Sequence, residues 1–261
     1  MSLLAVKGLG IGFGGIRAVD NVTFSTEPGK IFSIIGPNGA GKTTLFNLIS
    51  GVYRTESGSV TILDEEVTRL SPEALAARGM ARTFQNLQVF FRMSALDNVM
   101  VGAHVHEAPR GLSHLLGLPS TARENRQTRD EAMALLTRLR LADVAERTAG
   151  NLSYGQLKRL EIARALASRP KILLLDEPAA GCNPTETAEI DEIIVEVARS
   201  GVGILLVEHD MKLVMGVSDR VLVLTQGRVL IEGTPAEVAN SPAVIEAYLG
   251  TGLPSLEATH A

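Results

Sequence analysis

The sequence predicts an α/β fold with a mostly parallel β-sheet, and three observations point to it. An apolar, strand-like run at 31–35 leads into a glycine-rich loop at 36–44 and then a helical pattern at 45–49. Toward the carboxyl end, apolar runs alternate with helical patterns, which is typical of parallel strands joined by helices. Between these two parts, residues 87–165 are rich in helix formers. This composition favours a helical insert inside the α/β core.

The composition favours a globular protein and argues against a nucleic-acid-binding or membrane-spanning one. The 261 residues are 45% hydrophobic, enough for a sizeable core, and their net charge of -4 argues against a surface built to bind nucleic acid. The single cysteine, Cys182, cannot form an internal disulfide. The sequence has no apolar run of the roughly 18 to 20 residues that a membrane span needs, and no signal sequence at its start. We therefore expect a cytoplasmic protein that depends on another chain for any work across a membrane.

The remaining elements are predicted from turn and cap residues between apolar runs. Before the glycine-rich loop, these signals indicate short strands and a Pro28-Gly29 turn. Downstream, Ser71 caps a short helix, and Gln226-Gly227 forms a hairpin. The predicted strands are 3–6, 19–24, 60–63 after a turn at 57–59, 172–175, 202–207 and 221–224, and the later helices are 184–198 and a short one from Asp210.

The glycine-rich loop has the spacing of a P-loop, a loop that cradles phosphate groups. Its glycines let backbone N–H groups converge on phosphate oxygens, Lys42 supplies a positive charge, and the Thr43 hydroxyl can ligate Mg²⁺. The helix that follows adds its amino-terminal dipole. A plain turn would need neither the lysine nor the hydroxyl. The predicted phosphate-binding residues are Gly36, Asn38, Gly39, Ala40, Gly41, Lys42, Thr43 and Thr44.

Two adjacent carboxylates, Asp176 and Glu177, end the apolar strand at 172–175. Buried acids are costly without a cationic partner. Beside a P-loop, the first can hold Mg²⁺ through water, and the second can orient or deprotonate the water that attacks a γ-phosphate. The alternative is that both acids only cap the following turn.

Two further motifs lie near the ends of predicted elements. Ser153 and Gly155 precede a helix and could form an anion site at its amino terminus. Taken alone, they are better explained by an ordinary helix cap, and it is their position just upstream of the strand with two carboxylates that favours an anion site. His209 follows the apolar strand at 202–207 and should emerge on the same sheet edge as Glu177. Ligands collect at the carboxyl ends of parallel strands, which favours a functional role for this histidine. A buried structural histidine is the alternative.

Other conspicuous residues have simpler explanations. Phe13, flanked by glycines, could stack on a nucleotide base or serve as a core or turn residue. His104, His106 and His114 lack a cluster of carboxylates or cysteines, so we interpret them as solvated side chains. The stretch 107–120 has no clear period and is predicted to be a loop or a pair of short helices.

In order and spacing, the P-loop, Gln85, the 152–156 stretch, the strand with its two acids and His209 resemble the ATPase subunits of ATP-binding cassette (ABC) transporters. The resemblance covers nearly the whole chain. It implies one ATPase domain with a RecA-like core at 1–86 and 166–261, which includes an amino-terminal antiparallel β subdomain. It also implies a helical subdomain at 87–165 that carries the signature motif.

The resemblance also implies roles for single residues. Phe13 corresponds to the aromatic that stacks on adenine, and Gln85 to the glutamine that senses Mg²⁺ and the membrane partner. Asp176 corresponds to the metal-binding acid, Glu177 to the catalytic base, and His209 to the γ-phosphate switch. Ser153, Gly155 and Gln156 belong to the signature, which reaches the ATP of an opposing subunit. A head-to-tail dimer with two ATP molecules follows, as a homodimer or a heterodimer, and Lys42 alone cannot support turnover.

Residues 81–86, 178–184, 208–215 and 233–250 resemble more closely the ATPases of branched-chain amino-acid importers. Such systems imply two permeases, a substrate-binding protein and a place on the cytoplasmic face of the cell membrane. An exporter of lipid or polysaccharide and an importer of urea or amides stay open. Three positions depart from the common pattern: Tyr154 for glycine, Asn183 for aspartate and Phe13 for tyrosine.

Overall fold

The computed structural model describes residues 2–103 and 119–249, which form two β-sheets with helices around them. The larger sheet has six strands in the order β10-β9-β3-β8-β7-β6. Its middle strands are parallel and only β10 runs antiparallel, as the alternating pattern predicts. The strands are β3 (Ile31–Ile35), β6 (Met80–Arg82), β7 (Ile172–Asp176), β8 (Gly203–Val207), β9 (Arg220–Thr225) and β10 (Arg228–Gly233).

The smaller sheet is antiparallel, in the order β2-β1-β4-β5. Its strands are longer than predicted, because irregularities in pairing after Val6 let the ladder continue past the glycines of β1. The turn predicted at 57–59 lies within a strand, where Gly58 has φ +82° and its Cα faces the backbone of Gly8 too closely for a side chain. The strands are β1 (Leu4–Phe13), β2 (Ile16–Thr26), β4 (Ser57–Ile62) and β5 (Glu65–Glu66).

The helices begin where the cap signals place them. Ser71 accepts a hydrogen bond from the Ala74 N–H, and Asp210 accepts from Lys212 and Leu213, so both are amino-terminal caps. The helices are α1 (Lys42–Ile49), α2 (Pro72–Ala77), α3 (Ala95–Ala103), α4 (Pro119–Arg138), α5 (Tyr154–Ala167), α6 (Pro184–Arg199), α7 (Met211–Val217), α8 (Pro235–Ala239) and α9 (Pro242–Leu249). His104, His106, His114 and most of 107–120 lie outside the described residues.

Buried side chains join these elements into three clusters. One contains α1, the inner face of the small sheet and one face of the large sheet. The second joins α3, α4, α5 and α6 to the other face of the large sheet, and the third lies under α7, α8 and α9. Within 2–103 and 119–249, none of the helices combines the length and the apolar character that crossing a bilayer requires.

Parallel register brings the chemistry-bearing segments to one edge. β3 ends at Ile35 before the P-loop, β7 ends at Asp176 before Glu177, and β8 ends at Val207 before Glu208 and His209. Because β3, β8 and β7 are neighbours, the three loops that follow them lie side by side.

Candidate functional site

The P-loop borders a cavity of about 600 Å³. α1 begins at Lys42, and its amino-terminal cap Gly41 has φ +99°, a conformation that a side chain would strain. The sequence did not predict that β2 and the β9–β10 hairpin contribute to the cavity lining. The cavity is lined by 38–44, together with Gln85, Glu177, Ile16, Arg17, Ala18, Gln226 and Gly227.

Lys42 is held by the loop that it belongs to. Its Nζ donates to the carbonyl oxygens of Gly36 at 2.6 Å and Pro37 at 3.2 Å. Burial lowers the pKa of Lys42, and the nearby carboxylates of Glu177 and Asp176 act in the opposite direction. The ammonium is therefore fixed inside the loop, next to the backbone groups that would surround a phosphate.

Glu177 lies next to two other predicted site residues. Its Oε2 accepts a hydrogen bond from the Gln85 side-chain amide at 3.2 Å, and its Oε1 lies 3.8 Å from His209 Nδ1. Glu177 has φ +49°, unusual for a non-glycine residue, and its backbone N–H is bound to the Val207 carbonyl at 2.9 Å. The structure therefore brings Gln85, Glu177 and His209 together at the edge of the cavity.

Asp176 is buried and has a cationic partner that the sequence did not reveal. Arg82, at the end of β6, donates to Asp176 Oδ2 at 3.1 Å. The same guanidinium donates to Asn47 on α1 at 2.7 Å and to Ser50, the carboxyl-terminal cap of α1, at 2.6 Å. It also lies over the rings of Phe46 and Phe84. Burial raises the pKa of Asp176, while Arg82 lowers it. Arg82 thereby links the P-loop helix, the acid on β7 and the segment before Gln85.

A buried lysine and a buried glutamate complete the contacts around Glu177. Lys158 on α5 is 2% exposed, and its Nζ donates to the carbonyl oxygens of Gln85 and Glu177 at 3.4 Å. Glu208 is 1% exposed and accepts from the N–H groups of Ala179 and His209. The signal for Lys158 in the sequence is a charged residue among the apolar positions of a helix that is buried on most sides.

The amino terminus of α5 is a capping box. The Ser153 hydroxyl accepts from the Gln156 N–H at 3.2 Å, and the Gln156 side chain accepts from the Ser153 N–H at 2.9 Å. The Ser153 hydroxyl and the Gly155 N–H both donate to one oxygen of Glu186, on α6. The donors that the sequence predicts as an anion site are therefore bound to an anion of the same chain. Tyr154 is 42% exposed, with Lys158 Nζ 5.8 Å from its ring centre.

Phe13 lies apart from the cavity lining. It ends β1, is 48% exposed, and meets the Tyr53 ring edge-on with centroids 5.7 Å apart. The turn after it leads to Ile16, which lines the cavity and is 74% exposed. Phe13 therefore offers an exposed aromatic face on the strand that leads, through this turn, to the cavity lining.

Together, a P-loop at a sheet edge, two carboxylates at the end of β7 in the same sheet and a polar cluster around Glu177 define a P-loop nucleotide-binding ATPase. The family model for ABC transporters matches residues 19–180. A second model, for branched-chain amino acid ATP-binding cassette transporters, matches residues 228–253. The chain belongs to the ABC transporter family, as one of its ATP-binding ATPases.

Individual relatives agree with this assignment. The high-affinity branched-chain amino acid transport ATP-binding protein LivG of Escherichia coli (strain K12) is 47% identical over 95% of this chain and 98% of its own length. The lipopolysaccharide export system ATP-binding protein LptB of the same strain is 33% identical over 96% of this chain and 98% of its own. The crystal structure of the ADP conformation of MJ1267, an ATP-binding cassette of an ABC transporter, is 33% identical with a TM-score of 0.84, covering 96% of this chain and 99% of that one.

Proposed function

We propose that the chain is the ATPase subunit of an importer that takes up branched-chain amino acids. The observation that carries this proposal is the identity to LivG, 47% along 95% of the chain, against 33% to the exporter subunit LptB. The match of residues 228–253 to the branched-chain family supports the same choice, because that match lies outside residues 19–180, which the general ABC transporter model covers.

The geometry supports roles for the P-loop and its metal. Lys42 and the amides of 38–44 surround the β- and γ-phosphates of ATP, at the amino terminus of α1. Thr43 in the cavity lining, the Gln85 amide and the carboxylate of Asp176 are oxygen donors of the kind that Mg²⁺ prefers, Asp176 acting through water. When bound, Mg²⁺ neutralises charge on the phosphates. Phe13 stacks on the adenine from the neighbouring turn.

Glu177 is the catalytic base in this proposal. Its two oxygens face Gln85 and His209, so a water molecule held between them and the γ-phosphate is oriented for in-line attack. Glu177 takes the proton of that water. Gln85 and His209 keep the carboxylate in position relative to the γ-phosphate. Lys158 fixes the backbone of both Gln85 and Glu177 through hydrogen bonds to their carbonyl oxygens.

The nucleotide site is composite. Ser153, Gly155 and Gln156 of one cassette face the ATP that the P-loop of a second cassette holds, so a head-to-tail dimer encloses two ATP molecules. The second cassette is another copy or a related subunit. Residues 87–165 act as a helical subdomain and residues 1–86 with 166–261 as the catalytic core. Two permeases anchor this pair to the cytoplasmic face of the membrane and receive cargo from a substrate-binding protein on the opposite face.

The test is uptake by the assembled transporter. The chain is purified from native membranes with its partners and reconstituted in vesicles, and leucine, isoleucine, valine, urea and a short amide are supplied in turn. We expect ATP-dependent uptake of the branched-chain amino acids, abolished by Glu177→Gln. Uptake of urea or amides alone would contradict the substrate class. Permeases that extract a lipid or polysaccharide would replace the importer with an exporter.

A further inference from the structure

One carboxylate covers the anion site at the amino terminus of α5. The Glu186 Oε1 atom accepts from the Ser153 hydroxyl at 3.2 Å and from the Gly155 N–H at 3.3 Å. Gly155 is buried, and a Cβ at this position would clash with the Glu186 side chain. Ser153 and Gly155 thus point their donors at the same oxygen, in the way that they would point at a phosphate.

Glu186 serves a second helix with its other oxygen. It is the third residue of α6, and its Oε2 accepts from the N–H of Asn183, the amino-terminal cap of that helix, at 3.2 Å. A single carboxylate therefore lies between the amino termini of α5 and α6, where both helix dipoles favour negative charge. Asn183 also caps α6 by itself, because its Oδ1 accepts from the N–H groups of Thr185 and Glu186 at 3.0 Å.

Two anions cannot use the same pair of donors. If the γ-phosphate of a second cassette is to reach Ser153 and Gly155, the Glu186 side chain must leave them, since its carboxylate occupies the position of the phosphate and repels it. Rotation of Glu186 toward solvent costs its bonds to α5. It does not uncap α6, because the Asn183 side chain remains in place.

We propose that Glu186 is a positioning residue that holds the Ser153–Gly155 anion site closed until the γ-phosphate on the opposing cassette displaces its carboxylate. This inference rests on the composite nucleotide site proposed above. It gives Glu186 a defined effect on the reaction: the side chain opposes closure of the dimer around ATP and favours its reopening once the γ-phosphate has been cleaved. Glu186 touches neither the nucleotide nor the attacking water.

Replacing Glu186 with glutamine separates this role from a structural one. Glutamine at the third helical position still completes a capping box, so α6 stays capped. The neutral amide binds the α5 donors less strongly than a carboxylate does and does not repel phosphate. Because charge-assisted hydrogen bonds are roughly twice as strong as neutral ones, we expect the ATP-dependent dimer to bind more tightly by about fivefold to tenfold for each of its two nucleotide sites.

The experiment is sedimentation of the full chain with Mg²⁺ and ATP, with Mg²⁺ and ADP, and without nucleotide. All proteins carry Glu177→Gln to prevent turnover, and Glu186→Gln is compared with Glu192→Gln. The control removes one charge from the same helix at an exposed site where Glu192 pairs with Arg140 at 2.6 Å. We expect Glu186→Gln to lower the dissociation constant of the ATP dimer and Glu192→Gln to leave it unchanged. Glu186→Ala should also tighten the dimer while lowering the melting temperature.

Each outcome decides a different claim. One outcome is that the parent forms an ATP-dependent dimer and both Glu186 variants dimerise with the same or a higher dissociation constant. Glu186 would then have only a structural role, and this inference would be overturned while the composite site stands. No ATP-dependent dimer in any variant would overturn the composite site and this inference with it. A dimer that forms only after Glu186 is replaced would support both.

Discussion

Replacing Arg82 with methionine tests the buried ion pair behind the site. The side chains of Arg82 and Asp176 are 8% and 6% exposed, so removing the arginine leaves an uncompensated carboxylate in the interior. Breaking a buried pair in this way costs about 3 to 5 kcal/mol. The Asn47 and Ser50 oxygens also lose their donor, at roughly 1 kcal/mol each when no water replaces it. We therefore expect the free energy of unfolding to fall by about 4 kcal/mol or more at pH 7.

The double variant Arg82→Met/Asp176→Asn is the matched control. It lacks the unpaired charge, so it should recover about 2 kcal/mol of the loss caused by Arg82→Met alone. Both are measured by urea denaturation of the nucleotide-free chain. Equal losses in the single and the double variant would refute the reasoning, because the cost would then come from packing and not from the charge.

The pH dependence has a definite sign. Burial already raises the pKa of Asp176 above its ordinary value, and removing Arg82 raises it further. A group whose pKa is raised by folding adds stability at low pH and loses it as the pH rises through the folded pKa. The cost of Arg82→Met should therefore shrink as the pH falls from 7 toward 4. Wild type should gain stability over the double variant in the same direction but by less, because Arg82 offsets part of the effect of burial.

Two further predictions concern Asp191 and Phe13. Burial, with Asp210 and Glu208 adding to it, raises the pKa of Asp191 from 3.8 to about 6, and its Oδ1 has no hydrogen-bond partner among the described residues. Because the side chain is only half-buried, solvent screening reduces the cost of its charge to about 1 kcal/mol, so Asp191→Asn should gain that much stability at pH 8 and nothing at pH 4 in urea titrations. An equal gain at both values would contradict this. Stacking on a base contributes about 1 to 3 kcal/mol, so Phe13→Ala should weaken ATP binding about tenfold by calorimetry, whereas Phe13→Tyr should keep the native affinity. Unchanged affinity in Phe13→Ala would show that Phe13 does not contact the adenine.

The site residues that could be predicted from the sequence are those that lie at the end of an apolar strand. The P-loop, Asp176, Glu177 and His209 each come directly after such a strand, and parallel register alone brings strand ends together. The Gln226-Gly227 hairpin was equally predictable, since both residues take positive φ. Their contacts at the edge of the cavity follow from sheet order rather than from details of side-chain packing.

Contacts between distant side chains could not be predicted in this way. The spacing from Asn183 to Glu186 indicates a capping box, but nothing local shows that the same glutamate also binds Ser153. Arg82 in β6 is likewise close to Asp176 only because β6 pairs with β7. The lengths of β1 and β2 escaped prediction because the glycines of β1 indicate turns and are in fact accommodated by irregular pairing between the two strands.

The proposed mechanism requires each nucleotide site to be shared between two cassettes, and mixing two inactive variants tests this directly. Lys42→Ala removes the P-loop charge and keeps the signature, while Ser153→Arg blocks the signature and keeps the P-loop. At concentrations where the ATP-bound Glu177→Gln chain dimerises, each variant alone should hydrolyse almost no ATP. An equal mixture should recover about a quarter of the wild-type rate, because half the dimers are mixed and each has one complete site. A mixture no more active than the sum of its parts would contradict the shared site.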